Sequence, residues 1–216
     1  MSWNWTFAGD LISPLLQGLR YTMAATVLGY VLALALGLVW AILRRSSNIV
    51  VRQTVRWIVE FIRSTPLLVQ LVFFFYALPQ TGIQFSAFWT GVIGLGVHYS
   101  TYISEVYRAG IENVPRGQWE ACTALNLPRS RVWFGVVLPQ AIRQVIPTLG
   151  NYLIALFKDS PLLLVITVPE MMYVAYTEGG KSGFLEPFTI AAIIFVIVSV
   201  LSSVLTRRLE ARYATV

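Results

Sequence analysis

The chain has one cysteine and one histidine in 216 residues. Cys122 therefore has no intrachain disulfide partner, and no Cys/His cluster offers a metal site. Charge is scarce too. Asp, Glu, Lys and Arg make up 12% of residues, against about 25% in a typical soluble domain. There is no Gly-x-x-x-x-Gly-Lys-Ser/Thr phosphate loop, so ATP hydrolysis by this chain is excluded. The Gly-x-Ser-x-Gly and His-Glu-x-x-His signatures are also missing. His98 and Ser100 stand two apart, on different faces of a helix, and do not make a nucleophile–base pair. The N-terminus, MSWNWTFAGD, lacks a basic n-region and a small-residue cleavage site. No removable signal peptide is expected, and the first apolar span should direct insertion.

Apolar residues are abundant instead, at 56% against about 45–50% in soluble domains. A soluble fold of this size could not hide that surface, and a bilayer is its natural solvent. The net charge of +6 raises the question of nucleic acid. The basic residues sit in short runs between apolar stretches rather than on one solvated face, so no nucleic-acid partner is expected.

Five apolar segments stand out: Leu19–Leu43, Trp57–Leu78, Phe85–Tyr107, Val145–Val168 and Phe188–Leu205. Each is near the ~20 residues that a helix needs to cross the hydrocarbon core. Alternating barrel-type segments are absent, so the expectation is an all-α integral membrane protein with five transmembrane helices. Arg44, Arg45, Arg52 and Arg56 follow the first span. Arg108, Arg116, Arg129, Arg131 and Arg143 follow the third, and Arg207, Arg208 and Arg212 the fifth. The other two connections carry only Lys181, beside Glu170, Glu178 and Glu186. The positive-inside rule then puts the N-terminus outside and the C-terminus in the cytoplasm. Trp3, Trp5, Trp40, Trp57 and Trp89 fall near span ends, where indole rings anchor at headgroups. Ala25, Gly29, Ala33, Gly37 and Ala41 recur every fourth position and predict a close helix-packing seam.

The longest polar stretch lies between spans three and four, at about 109–144. Gly117–Leu125 suits a short helix after Pro115. Asn126 then occupies a position where helices turn left-handed, Leu127 can make the contact that follows such a cap, and Pro128 stops the first helix. Arg129–Leu138 suits a second helix that ends near Pro139. Spacing alone leaves two readings open, a docking hairpin or an amphipathic hairpin on the inner leaflet.

Within the spans, Lys158 and Asp159 lie about 20 Å of helix into the fourth. Ser160-Pro161 follows and should break or bend it. Broken helices at that depth line cavities, and the competing reading is a structural ion pair. His98, Tyr99, Ser100 and Thr101 form a polar patch in span three, suited to lining a path or to interhelical hydrogen bonds. Tyr99 and Tyr102 add aromatic faces that can hold a cationic nitrogen. Glu105 with Arg108, and Glu60 with Arg63, have the spacing of structural helix pairs. Balanced charges with aromatic faces suit a small zwitterion better than a strong cation or a dicarboxylate.

Glu120-Ala121-Cys122, Leu125-Asn126 and Leu138-Pro139 resemble the EAA loop of ATP-binding-cassette (ABC) importer permeases. More of the chain resembles the polar-amino-acid branch of that family. The stretches are Gln17–Thr22, Arg63–Gln70, Tyr102 with Glu105, Arg108, Gly110 and Ile111, Val114–Ala121, Lys158-Asp159-Ser160, and Val168-Pro169-Glu170. The resemblance covers about residues 15 to 212, nearly the whole chain. Cys122 and Asn126 depart from the family's Ala and Gly, and the stretch at His98 departs from its Asn-Ser-Ala-Ala-like pattern.

The resemblance implies a type I ABC importer permease fold as a single domain, 1–216, in a bacterial cytoplasmic (inner) membrane. It implies a coupling loop at 109–144 that meets an ATP-binding subunit through Glu120, Ala121, Leu125, Asn126, Leu127 and Pro128. Candidate path residues are His98, Tyr99, Ser100, Tyr102, Lys158 and Asp159. Implied partners are that ATP-binding subunit, which holds ATP and Mg, a second identical or related permease subunit, and an extracytoplasmic solute-binding protein. The cargo is expected to be a polar amino acid or related zwitterion. Ectoine and hydroxyectoine are among those the resemblance admits. An ATP-independent channel or secondary carrier is the alternative. Such a protein would not need the coupling loop, and no inverted repeat is evident to support a carrier.

Overall fold

In the computed structural model, residues 3–183 and 185–213 are described, and no strand occurs among them. Helix α1 runs Trp5–Leu43, with the Asn4 side chain accepting from the Phe7 N–H at its start. It is 39 residues long, about 58 Å at 1.5 Å per residue. It begins fourteen residues before the apolar segment that announced it, because Leu11, Leu15 and their neighbours pack against Met171, Ala175 and Ala191 from the last part of the chain. The small-residue seam faces α4 (Ala87–Glu112). A Cβ on Gly37 would lie 2.8 Å from the Ile103 side chain and 3.0 Å from the Ser100 carbonyl oxygen. Only glycine lets the two backbones approach this closely.

The second expected span is not one straight helix. Helix α2 (Ile49–Ser64) ends at Thr65, and α3 (Leu67–Val72) starts after Pro66, bent by 100°. Helix α3 continues as a π turn, Phe73–Ala77, and a 3₁₀ turn, Leu78–Thr81. Proline forces the residue before it out of helical backbone, and Thr65 has ψ 130°.

After α4, helix α5 spans Arg116–Ala124, one residue off its expected bounds. The second hairpin helix departs from expectation. It does not stop near Pro139. Helix α6 (Arg129–Arg131), a π turn (Val132–Val137) and α7 (Leu138–Asp159) run on as one rod. A proline ring collides with the carbonyl four residues back, here Gly135. The wide π turn just before Pro139 moves that carbonyl aside, so the rod continues. At Ser160 it tightens into a 3₁₀ segment, Ser160–Ile166, ending at Thr167 with φ 61°. The expected loop between the last two spans holds helix α8 (Met171–Ser182), and α9 (Leu185–Tyr213) closes the fold. The side chain of Arg212 lies outside the described residues.

Three stretches, Trp5–Leu43, Arg129–Ile166 and Leu185–Arg208, are long and apolar enough to cross a membrane. The bent pair Ile49–Ser64 with Leu67–Thr81 makes a fourth if it is one span. A count of five does not follow from length and apolarity. Helix α4 is 26 residues long but too polar to qualify. It is also wrapped by protein, with His98, Tyr99, Ser100, Thr101 and Ser104 all buried. Its own backbone carbonyls take the Ser100, Thr101 and Ser104 hydroxyls, and side chains of other elements meet His98 and Tyr99.

Candidate functional site

The breaks at Pro66 and Ser160 lie close together around α4. Pro66 has no N–H, so the Ile62 carbonyl loses its ordinary helical donor. The buried Gln70 amide replaces it, donating to the Ile62 oxygen at 2.7 Å and the Thr65 oxygen at 3.0 Å. The same Nε2 lies 3.1 Å from His98 Nδ1. Tyr99 donates to Asp159 Oδ2 at 2.6 Å, tying α4 to the end of α7. Tyr102 stacks near His98, Tyr99 and Tyr152, with ring centroids 5.3–6.2 Å apart. A cavity of about 270 Å³ opens beside Tyr102 and Tyr152, walled by α4 and α7.

Of the expected path residues, His98, Tyr99, Tyr102 and Asp159 come together here. Ser100 does not. It is fully buried, accepts from Trp40 Nε1 at 3.0 Å and donates to the Val97 carbonyl. Trp40 is thereby a helix–helix bridge rather than a free interfacial anchor. Lys158 is exposed and has no carboxylate partner among the described residues. Tyr152 and Gln70 escaped the sequence reading. Tyr152 is seven residues before Asp159, two helical turns away on one face, and that spacing is the signal that could have found it. Gln70 gave none, because its role arises only from the break.

The expected helix pairs are present, Glu105–Arg108 at 2.8 Å and Glu60–Arg63 at 2.7 Å. They belong to a larger network. Glu105 also binds Arg44 at the end of α1 and lies 3.7 Å from Arg63, while Arg108 reaches Glu112 at 2.6 Å. Glu105 thus joins α1, α2 and α4 at one end of the bundle. The opposite end is held by Asn4 donating to Glu186 at 2.9 Å. Between them, Glu170 is fully buried and caps α8, accepting from Met172 and Tyr173 N–H groups at 2.8 and 2.7 Å.

The hairpin forms a second surface at the same end as Glu105, because Arg45 lies over the Trp133 ring at 5.2 Å. Asn126 has φ 49°. Its N–H donates to the Thr123 carbonyl, and the Leu127 N–H to the Cys122 carbonyl, each at 3.0 Å. That pair of bonds is a Schellman cap. Inside the hairpin, Trp119 meets Trp133 edge to face at 5.7 Å, over Val114, Val137 and Ala141. With that side filled, Glu120, Ala121, Asn126 and Pro128 point outward, Leu127 is half-buried and Leu125 is 71% exposed.

A model of the family described as binding-protein-dependent transport system inner membrane component matches residues 33–215. A probable amino-acid ABC transporter permease protein of Sinorhizobium fredii is 45% identical over 202 residues, covering 93% of this chain and 87% of that protein. The arginine transport system permease protein of Bacillus subtilis is 33% identical, covering 91% and 90%. A crystal structure of an amino acid ABC transporter with histidines superimposes with a TM-score of 0.94 at 31% identity, over 98% of this chain and 100% of that one.

Proposed function

This chain belongs to the family of binding-protein-dependent transport system inner membrane components, and from that premise we propose that it is the permease subunit of an ATP-driven importer for a zwitterionic amino acid or a related solute such as ectoine. The observation that carries the coupling reading is the hairpin tip. A Schellman-capped turn presents Glu120 and a 71% exposed Leu125, while its inner side is filled by two tryptophans. An exposed leucine at a rigid tip suits a cleft in another protein. That protein is the ATP-binding subunit, which holds ATP and Mg. Glu120, Ala121, Leu125, Asn126, Leu127 and Pro128 form the contact.

Helix α4 crosses the membrane within the protein as the third of five spans, and the whole chain acts as one domain. The Arg-rich end faces the cytoplasm and the Asn4–Glu186 end faces outward. Cargo arrives from a solute-binding protein on the outer side. It passes between this chain and a second permease subunit, identical or related. His98, Tyr99, Tyr102, Tyr152, Lys158 and Asp159 contribute this chain's part of the path. The tyrosine faces hold the ammonium or amidinium group, and the exposed Lys158 attracts the carboxylate. The family alone does not fix cargo charge, since a relative at 33% identity is named for arginine.

The test is competition for uptake of a labelled neutral zwitterion by vesicles containing the whole importer. Neutral amino acids or ectoine should compete, and arginine and glutamate should not. Strong inhibition by arginine or glutamate, with none by neutral zwitterions, would overturn the cargo assignment.

A further inference from the structure

The 100° bend at Pro66 turns α2 away from the line of the Leu67–Thr81 segment, and Arg52 and Arg63, eleven residues apart on α2, both lie near the Arg44–Glu105–Arg108 end of the bundle. The helix has three faces. Val55 and Val59 are buried against the protein, and Val50, Trp57 and Phe61 are exposed. Arg52, Arg56 and Arg63 share the third side. A helix with exposed aromatic and aliphatic residues on one face and arginines on another lies in the plane of a membrane interface.

Beside its polar face is a cavity of about 390 Å³ between α1, α2 and α4. Its wall holds five arginines, Arg44, Arg45, Arg52, Arg56 and Arg108, and a single carboxylate, that of Glu112. Arg44 and Arg108 are neutralised by Glu105 and Glu112. Arg45 rests on Trp133. Among the described residues, Arg45, Arg52 and Arg56 have no carboxylate partner. A second cavity, of about 250 Å³, shares Gln53 and Arg56 with the first and extends to Trp57 and to Glu60, whose carboxylate is taken up by Arg63. The space therefore runs from a cluster of guanidinium groups to the edge of an exposed apolar face. A free anion would fill only the first part. A molecule with an anionic head and hydrocarbon tails fills both.

We propose that this cavity binds the phosphate headgroup of an anionic phospholipid such as phosphatidylglycerol, with its acyl chains lying beside Trp57 on α2. Guanidinium groups pair with phosphate through parallel hydrogen bonds, and basic pockets at the cytoplasmic ends of membrane helices suit such heads. Placement in the cytoplasmic leaflet rests on the orientation proposed above. The binding itself does not, so the two fail separately.

The experiment uses the purified importer complex, stripped of lipid and incubated with equal amounts of phosphatidylglycerol and phosphatidylcholine, with retained lipid measured by mass spectrometry. Phosphatidylglycerol should be retained preferentially. Arg52→Ala with Arg56→Ala should lower its retention at least about tenfold, since each surface arginine contributes on the order of 1 kcal/mol to anionic-lipid binding. Arg207→Ala with Arg208→Ala removes equal charge elsewhere and should change little. Arg52→Lys with Arg56→Lys keeps the charge but loses the parallel hydrogen bonds, so its retention should fall between wild type and the alanine pair, which separates lipid contact from a folding defect. Equal retention of both lipids, or no effect of the alanine pair, would overturn the proposal. Displacement by inorganic phosphate alone would assign the pocket to a soluble anion. Loss of the ATP-binding subunit from the alanine variant would assign it to a protein contact. Either result also overturns it.

Discussion

Asn126 carries a side chain at φ 49°, a region that costs most L-residues about 1–2 kcal/mol and Asn less. Asn126→Gly should therefore leave complex stability and uptake nearly unchanged, because glycine suits the left-handed cap at least as well. Asn126→Val should destabilise by about 2 kcal/mol or more, since a β-branched residue resists that conformation. Thermal unfolding of the assembled complex, with uptake measured in parallel, checks both. Equal behaviour of the two variants would remove the cap from the account. This residue was legible in the sequence because its structure is set by four or five neighbours: a short helix, Asn, then Leu-Pro. Ser100 was not. Its neighbours in sequence placed it with His98 and Tyr99, and only the tertiary bond from Trp40 turns it toward α1.

Among the elements, α2 and α3 departed furthest from the pattern of the sequence. Hydropathy runs on through Thr65-Pro66, so a single span was expected. The proline was visible, but its consequence depends on whether a partner exists for the freed Ile62 carbonyl. Gln70 is the nearer partner, at 2.7 Å, beside the Thr65 N–H at 3.3 Å. Gln70→Leu keeps the volume and removes the donor. It should cost about 0.5–1.5 kcal/mol, the usual net worth of a hydrogen bond, because the Ile62 oxygen keeps a longer bond from the Thr65 N–H at 3.3 Å. Thermal unfolding and protease sensitivity at Ser64–Leu67 measure it, and an unchanged melting temperature would mean that the bend does not depend on Gln70. Helix α4 shows the reverse case. It was expected as a span, yet its composition is too polar for lipid. It is tolerated because Gly29, Gly37 and Gly96 let α1 and α4 pack closely, leaving its hydroxyls to bond backbone carbonyls. Helix α6 and α7 merge for a local reason, the π turn ahead of Pro139, which hydropathy does not report.

For the whole molecule, one end of the bundle gathers Arg44, Arg45, Arg63 and Arg108 with the hairpin, and the other gathers Asn4 and Glu186. Single cysteines at Trp5 and Lys181 should react with impermeant reagents from outside. Cysteine at Arg116 should react only from the cytoplasmic side. The reverse pattern would invert the orientation drawn from the arginines. The central claim is that this chain moves its cargo only when a separate subunit hydrolyses ATP and the hairpin transmits the stroke. The most direct measurement is uptake by proteoliposomes holding the permease with its binding protein, made with and without the ATP-binding subunit, and with Glu120→Arg in the complete complex. The account predicts uptake only with the ATP-binding subunit and ATP present. It also predicts a fall of about tenfold for Glu120→Arg, since a reversed charge at a docking surface costs more than 1 kcal/mol, with the subunits still assembled. Uptake that persists without the ATP-binding subunit would contradict it and make the chain a channel or carrier.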